Sequence, residues 1–260
     1  IVGLHVDDFI SAGTNEFSNT IVPKVLSIFQ VGKSEKNSFL YTGFQIKQGK
    51  TGITLDQSEY VARIEIPVLD AARLLDKDSD LESKELTTYR QMVGGTNWVT
   101  RATRPDLCFD MVSLSTKFKG GKVSDLKEAR KVLTNIVQND ASIMLSNVGD
   151  LKRAEIWLYS DASFGNLNEG VDSTGAYIML LVNPINGKCA ALDWKANKVK
   201  RVVTSTLAAE TLSLYAGLDA AVAMRQELKV MLGKDHCFPL RAIVDNKSTV
   251  DVVHATVSLT

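Results

Sequence analysis

Residues 155–161, Glu155-Ile156-Trp157-Leu158-Tyr159-Ser160-Asp161, decide how the rest of the chain is read. Aliphatic and aromatic residues of β type run up to a single carboxylate, the pattern of a strand that stops at Asp161. Gly175–Val182 reads as a second strand, and it contains the longest strictly apolar stretch of the chain, Ala176–Val182. Asn183-Pro184-Ile185-Asn186-Gly187 is turn chemistry, and Lys188–Lys195 pairs back as a third strand. Leu207–Leu232 is a long amphipathic helix with Thr204-Ser205-Thr206 as cap candidates. Leu240–Val244 is a fourth strand that stops at Asp245, and Ser248–Val253 begins another helix. A three-stranded antiparallel meander, a helix and a strand make an α/β arrangement, whose fourth strand can lie parallel to the first.

In that arrangement Asp161 and Asp245 both leave the C-terminal ends of neighbouring strands, the edge where α/β proteins usually place ligands. Glu210 lies three residues after Leu207 and four before Leu214, within the stripe that packs on the sheet. Burying an unpaired carboxylate costs several kcal/mol as an order of magnitude. Three acids converging without a cation in their motifs therefore call for a multivalent metal, and open carboxylate sets are the usual hosts of Mg²⁺.

Upstream, Ile1–Ala12 places two apolar runs around Asp7-Asp8, a hairpin with the acidic pair at its turn. Thr20–Phe29 is helical. Residues 38–56 read as a second hairpin, with one strand over Phe39–Ile46, a turn at Gly49–Gly52 and a return strand at Ile53–Leu55. Asp56 with Glu59 resembles a capping box for a helix over Gln57–Ile66, which Pro67 ends. Asp70–Leu86 is acid-rich and reads as a linker. Helices follow over Tyr89–Arg101, from Pro105 toward Phe118, and over Asp125–Gln138 with Ser124 as cap.

Composition bounds these readings. Thirty basic and thirty acidic residues balance, which excludes a uniformly basic nucleic-acid binder but not local basic patches. The 45% hydrophobic and 23% charged content is that of a globular chain rather than a disordered one. No uninterrupted apolar run approaches the ~20 residues needed to span a bilayer, and no membrane partner is expected. No secretory pattern opens the sequence, and Cys108, Cys189 and Cys237 fit neither a disulfide framework nor a zinc spacing. A reducing, intracellular setting is expected.

The ordered segments Ser160-Asp161-Ala162-Ser163, Ser205-Thr206-Leu207-Ala208-Ala209-Glu210 and Val244-Asp245-Asn246-Lys247-Ser248 resemble the ribonuclease H domain of copia-type LTR-retrotransposon polyproteins. The resemblance implies that Asp161, Glu210 and Asp245 are the ligands of two Mg²⁺ (or Mn²⁺) ions that cut the RNA strand of an RNA–DNA hybrid. It also implies that Lys195, Lys198, Lys200 and Arg201 contact nucleic acid, which such cations can do through phosphates without reading sequence. His5-Val6-Asp7-Asp8 resembles the Tyr-x-Asp-Asp box of reverse transcriptases, with His5 where that box has Tyr. Phe39-Leu40-Tyr41-Thr42-Gly43, Tyr89-Arg90-x-x-Val93-Gly94 and Thr103-Arg104-Pro105-Asp106 resemble further markers of the family in the same order. Asp7 and Asp8 would then be polymerase carboxylates, Asp7 also a metal ligand.

The resemblance implies three parts: the C-terminal end of a reverse-transcriptase palm (1–68), a linker with a helical thumb or connection (69–150), and a ribonuclease H-like mixed-sheet domain (151–260). The fold class expected is α/β, with α+β character in the N-terminal half. The family has one more acid downstream of Thr260 and a metal-binding Asp upstream of Ile1, so the chain reads as an internal piece of a longer Pol polyprotein. Its partners would be an RNA–DNA hybrid, primer–template and the rest of Pol, in a cytoplasmic particle or the nucleus. A polymerase site built from Asp7 and Asp8 alone would be incomplete. The alternative is a catalytically inactive remnant that binds nucleic acid through its basic residues.

Overall fold

The computed structural model describes residues 1–29, 31–233 and 236–257; residues 258–260, on which the expected domain end at Thr260 falls, lie outside the described residues. The chain opens with strands β1 (Val2–His5) and β2 (Asp8–Ser11), paired antiparallel with His5 opposite Asp8. The turn is therefore Val6-Asp7, with Val6 at φ 56°, and Asp8 already belongs to the second strand. A π-helical turn at Phe17–Ile21 runs into α1 (Val22–Ile28), so the helix starts before the expected Thr20. No described residue from Ile1 to Phe29 is buried.

The expected strand over 39–46 is two strands, β3 (Ser38–Tyr41) and β4 (Phe44–Gln48), followed by β5 (Gly52–Asp56). Thr42 and Gly43 both take positive φ, 48° and 85°, the backbone of a tight hairpin turn, and that turn divides the segment. Asp56 accepts the Ser58 amide at 2.7 Å, but the helix it starts, α2 (Ser58–Val61), ends well short of Ile66.

The stretch expected to be a linker is tied down. Arg73 donates to both carboxylate oxygens of Glu85 (2.8 and 3.1 Å) and to the Asp80 carbonyl (2.8 Å). Glu85 also accepts the Glu82 amide at 2.8 Å, so α3 (Ser83–Ala102) begins six residues before Tyr89. With α4 (Cys108–Ser115) and α5 (Val123–Gln138) it encloses one core, whose centre is Tyr89, Val93, Val99, Leu126, Leu133 and Ile136. The start of α5 precedes Ser124 because Asp125 reaches back to the Lys122 amide at 2.7 Å.

An additional strand with no clear sequence signal, β6 (Ser142–Ser146), then pairs with β5 and completes a sheet of order β3-β4-β5-β6. Gly52 permits that pairing, because a Cβ there would collide with the Leu145 carbonyl.

The C-terminal unit comprises β7 (Glu155–Leu167), β8 (Asp172–Asn183), β9 (Lys188–Lys198), α6 (Thr206–Leu232), β10 (Leu240–Ile243) and α7 (Lys247–Val257). Its sheet has order β10-β7-β8-β9, with β7, β8 and β9 antiparallel and β10 parallel to β7. Strand β7 does not stop at Asp161; it continues six residues because β8 keeps pairing with it through Ser163 and again at Leu167. Ile156, Leu158, Met179, Leu214, Ala221 and Phe238 form this unit's core beneath α6. By length and composition α6 could cross a membrane, yet here it lies on β7 and β8 and buries Glu210, Ser213 and Gly217. The Trp194 indole N–H donates to the Thr100 carbonyl (3.1 Å), tying β9 to the end of α3. The chain is thus a mixed α/β protein with several sheets and seven α-helices among the described residues.

Candidate metal centre

Alternation along β7 decides where Asp161 points. Ile156, Leu158 and Ser160 are buried toward α6, so Trp157, Tyr159 and Asp161 take the other side of the pleat. Asp161 is exposed and accepts the Ala162 amide at 2.7 Å. On β10, Ile243 pairs with Tyr159, and Asp245 follows two residues later, after the strand has ended. Asn246 accepts the Thr249 amide (2.9 Å) and starts α7, which fixes the chain direction just beyond Asp245.

Helix α6 brings the third acid. Ser205 caps it by accepting the Ala208 amide at 3.2 Å. Glu210 follows within a buried stripe of Ala209, Glu210, Ser213, Leu214, Gly217 and Ala221. Small residues let this helix approach the sheet closely: a Cβ on Gly217 would stand 3.1 Å from a Leu158 methyl, and one on Gly175 would stand 3.0 Å from Ser213 Oγ. Ser213, one turn after Glu210, reaches the Asp161 carbonyl (2.8 Å) and the Ala176 carbonyl (3.1 Å), and meets the Ser160 hydroxyl at 3.1 Å. The helix that carries Glu210 is therefore latched to the backbone of Asp161 itself.

The result is one cluster. Asp161, Glu210 and Asp245 each offer a carboxylate oxygen, and these oxygens lie within 4.8 Å of one another. Among the described residues no Lys or Arg forms an ion pair with any of the three. Glu210 is only 4% exposed, and its Oε2 has no hydrogen-bond partner. Burial chiefly, and then the charges of Asp161 and Asp245, raise its carboxyl above the ordinary range, while the Ala162 amide pulls the other way. Oxygens sharing one Mg²⁺ lie about 3–4 Å apart, so modest side-chain adjustment lets this set close on a hard divalent cation. Oxygen-only donors suit Mg²⁺ or Mn²⁺ and disfavour softer metals.

The remaining sequence-predicted residues fall elsewhere. Lys195 and Lys198 lie in β9, Lys200 and Arg201 follow it, and all four are exposed. Lys198 pairs with Asp172 at 2.6 Å. Asp7 and Asp8 are exposed at the tip of the β1–β2 hairpin and join no cluster of three ligating side chains among the described residues. His5 makes an edge-on ring contact with Tyr41, centroids 6.5 Å apart. Ser213, and the Ser160 hydroxyl that it meets, also belong to the site, although no motif assigns them a role. The available signal was Ser213's place one turn after Glu210, on the same buried stripe. Phe109 and Tyr159, with no role implied by the motifs, line a cavity of about 510 Å³ beside the carboxylates together with Asp161, Asp245 and Trp194.

No family model matches the chain. The chain is 24% identical over 219 residues to a protein of Saccharomyces cerevisiae (strain ATCC 204508 / S288c) named "Putative transposon Ty5-1 protein YCL074W", an alignment covering 78% of this chain and 67% of that one. By that alignment the chain is similar to a transposon protein.

Proposed function

We propose that the chain carries a ribonuclease H-type nuclease unit of a copia-type Pol protein, preceded by the end of a reverse-transcriptase palm and a helical connection. The observation that supports this most is the convergence of Asp161, Glu210 and Asp245 from a strand, a helix and a parallel neighbouring strand onto one edge of the sheet, with Glu210 buried and the two aspartates exposed. In this reading those three carboxylates hold two Mg²⁺ or Mn²⁺ ions. Bound there, the ions supply Lewis-acid activation of water and neutralise the leaving oxygen. The protein's own part is positional. Ser213 fixes α6 against the Asp161 carbonyl, Asn246 fixes the chain after Asp245, and burial leaves Glu210 Oε2 without a hydrogen-bond partner, so that it would be free to ligate a cation. Lys195, Lys198, Lys200 and Arg201 neutralise phosphates of an RNA–DNA hybrid without base readout. Asp7 and Asp8 are assigned to the polymerase site of primer–template synthesis, completed by the rest of Pol, in an intracellular particle or the nucleus.

The test is cleavage of a labelled RNA–DNA hybrid by the purified chain with Mg²⁺ or Mn²⁺. The expected result is RNA-strand cutting that EDTA and Asp161→Asn both abolish. Salt-sensitive hybrid binding with no cutting under any divalent ion, by a chain extended past Thr260, would instead identify a binding remnant.

A further inference from the structure

A second groove, on the α6 side of the sheet, has a chemistry that the carboxylate cluster does not use. It encloses about 760 Å³ between β9 and the outer flank of α6. Lys195, Lys198, Lys200 and Arg201 stand along one wall, and Tyr215 stands on the other with 69% of its surface exposed. Gly175 and Ser213 form part of the lining between them, without bulky side chains.

The charges in and around it are unevenly satisfied. Asp172 is taken by Lys198, and Asp193 accepts the Tyr177 hydroxyl at 2.8 Å. Among the described residues Lys195, Lys200 and Arg201 form no ion pair, and Asp219, one turn beyond Tyr215, is the carboxylate that remains in the groove. Lys200, Arg201 and the open ring thus share the half nearer the start of α6, with Lys195 further along, opposite Tyr177. That half adjoins the cluster, because Ser213 bonds the Asp161 carbonyl and Ala176 is the cross-strand partner of Asp161.

Cations lining a groove bind any polyanion, but an exposed aromatic ring beside them selects one with free planar faces. Bases in a duplex are stacked on each other and offer no such face, whereas unpaired bases do. We propose that this groove binds single-stranded nucleic acid, with Tyr215 stacking on a base and Lys195, Lys200 and Arg201 meeting the phosphates. The inference rests on the nucleic-acid reading above and adds a stacking residue for a strand that is unpaired where it leaves the hybrid, its phosphates meeting the same cations. The strand it holds is unpaired nucleic acid adjoining the carboxylate cluster.

Anisotropy of a labelled oligothymidylate with the full chain, in EDTA so that no metal site contributes, tests the proposal. Three phosphate contacts to a single strand predict a slope of log K against log salt of about −2. Tyr215→Ala weakens binding about 5- to 150-fold, the range of one lost base stack. Tyr215→Phe restores it, since stacking needs the ring and not the hydroxyl. Affinity for blunt duplex DNA stays the same in all three proteins. Equal oligothymidylate affinity for wild type and Tyr215→Ala, a failure of Tyr215→Phe to restore binding, or no binding by wild type overturns the proposal. Hybrid cleavage is scored separately. Tyr215-dependent binding in a chain that never cuts leaves the groove standing and removes the nuclease. Asp161-dependent cutting with no effect of Tyr215→Ala does the reverse.

Discussion

Replacing Glu210 by Gln should stabilise the metal-free protein, the opposite of what losing a buried, well-partnered side chain does. Glu210 is buried with Oε2 unpartnered, and its neighbours are two further carboxylates within 4.8 Å. At an effective dielectric constant of about 20, two unit charges at that distance repel by about 3.5 kcal/mol. Protonation limits the penalty: a carboxyl of ordinary pKa 4.5 can be neutralised at pH 7.5 for about 4 kcal/mol. Water reaching the exposed Asp161 and Asp245 screens the repulsion further, so a gain of about 1–2 kcal/mol is expected. For a chain of this size that is a rise in Tm of about 2–8 °C in EDTA. Mg²⁺ at a hundred times its Kd should stabilise wild type by about 2.7 kcal/mol and leave Glu210→Gln nearly unchanged. Thermal melts of both proteins with EDTA and with Mg²⁺ give all four numbers. A lower Tm for Glu210→Gln in EDTA, or the same Mg²⁺ increment in both proteins, would refute the reasoning, because Glu210 would then be an ordinary satisfied residue.

Two further outcomes follow from contacts around the site and the helical core. Ser213→Ala removes a buried hydroxyl whose partners include the Asp161 carbonyl; it should cost about 1–3 kcal/mol in urea unfolding. It should also weaken Mn²⁺ binding in a calorimetric titration, which a merely structural loss would leave unchanged. Glu85 is held below its ordinary pKa of 4.5, chiefly by the Arg73 guanidinium. Its stabilising contribution is complete above pH 4.5 and disappears as pH falls through the lowered native value. Wild type should therefore exceed Glu85→Gln in stability at pH 6, and the two should converge toward pH 3. An unchanged gap in acid denaturation curves would contradict the pairing.

The C-terminal unit was legible because its signals are local. Apolar β-type runs, a Pro-Ile-Asn-Gly turn and a capped amphipathic helix each specify one element within a few residues, though the end of β7 was set by continued pairing with β8 beyond Asp161. The failures upstream share a cause, which is contact between residues distant in sequence. Strand β6 carries only Ser142–Ser146 and has no clear period; it is a strand because β5 pairs with it across nearly ninety intervening residues. The 70–86 stretch is polar enough to read as a linker, but Arg73 finds Glu85 and the Asp80 carbonyl only once α3 begins. The division of 39–46 turned on Thr42 taking a left-handed backbone, which a Thr rarely announces.

For the site, the residue types and their order along the chain came from the sequence alone: a carboxylate after a β run, another inside the apolar stripe of a helix, and a third after a later β run. Whether the three would meet was a matter of tertiary structure. Parallel pairing of β10 with β7 brings Asp161 and Asp245 to one edge, and the absence of side chains at Gly175 and Gly217 lets α6 come close enough to deliver Glu210. Sequence spacing fixes which face of an element a side chain takes. The distance between faces depends on the packing of atoms that no local pattern contains.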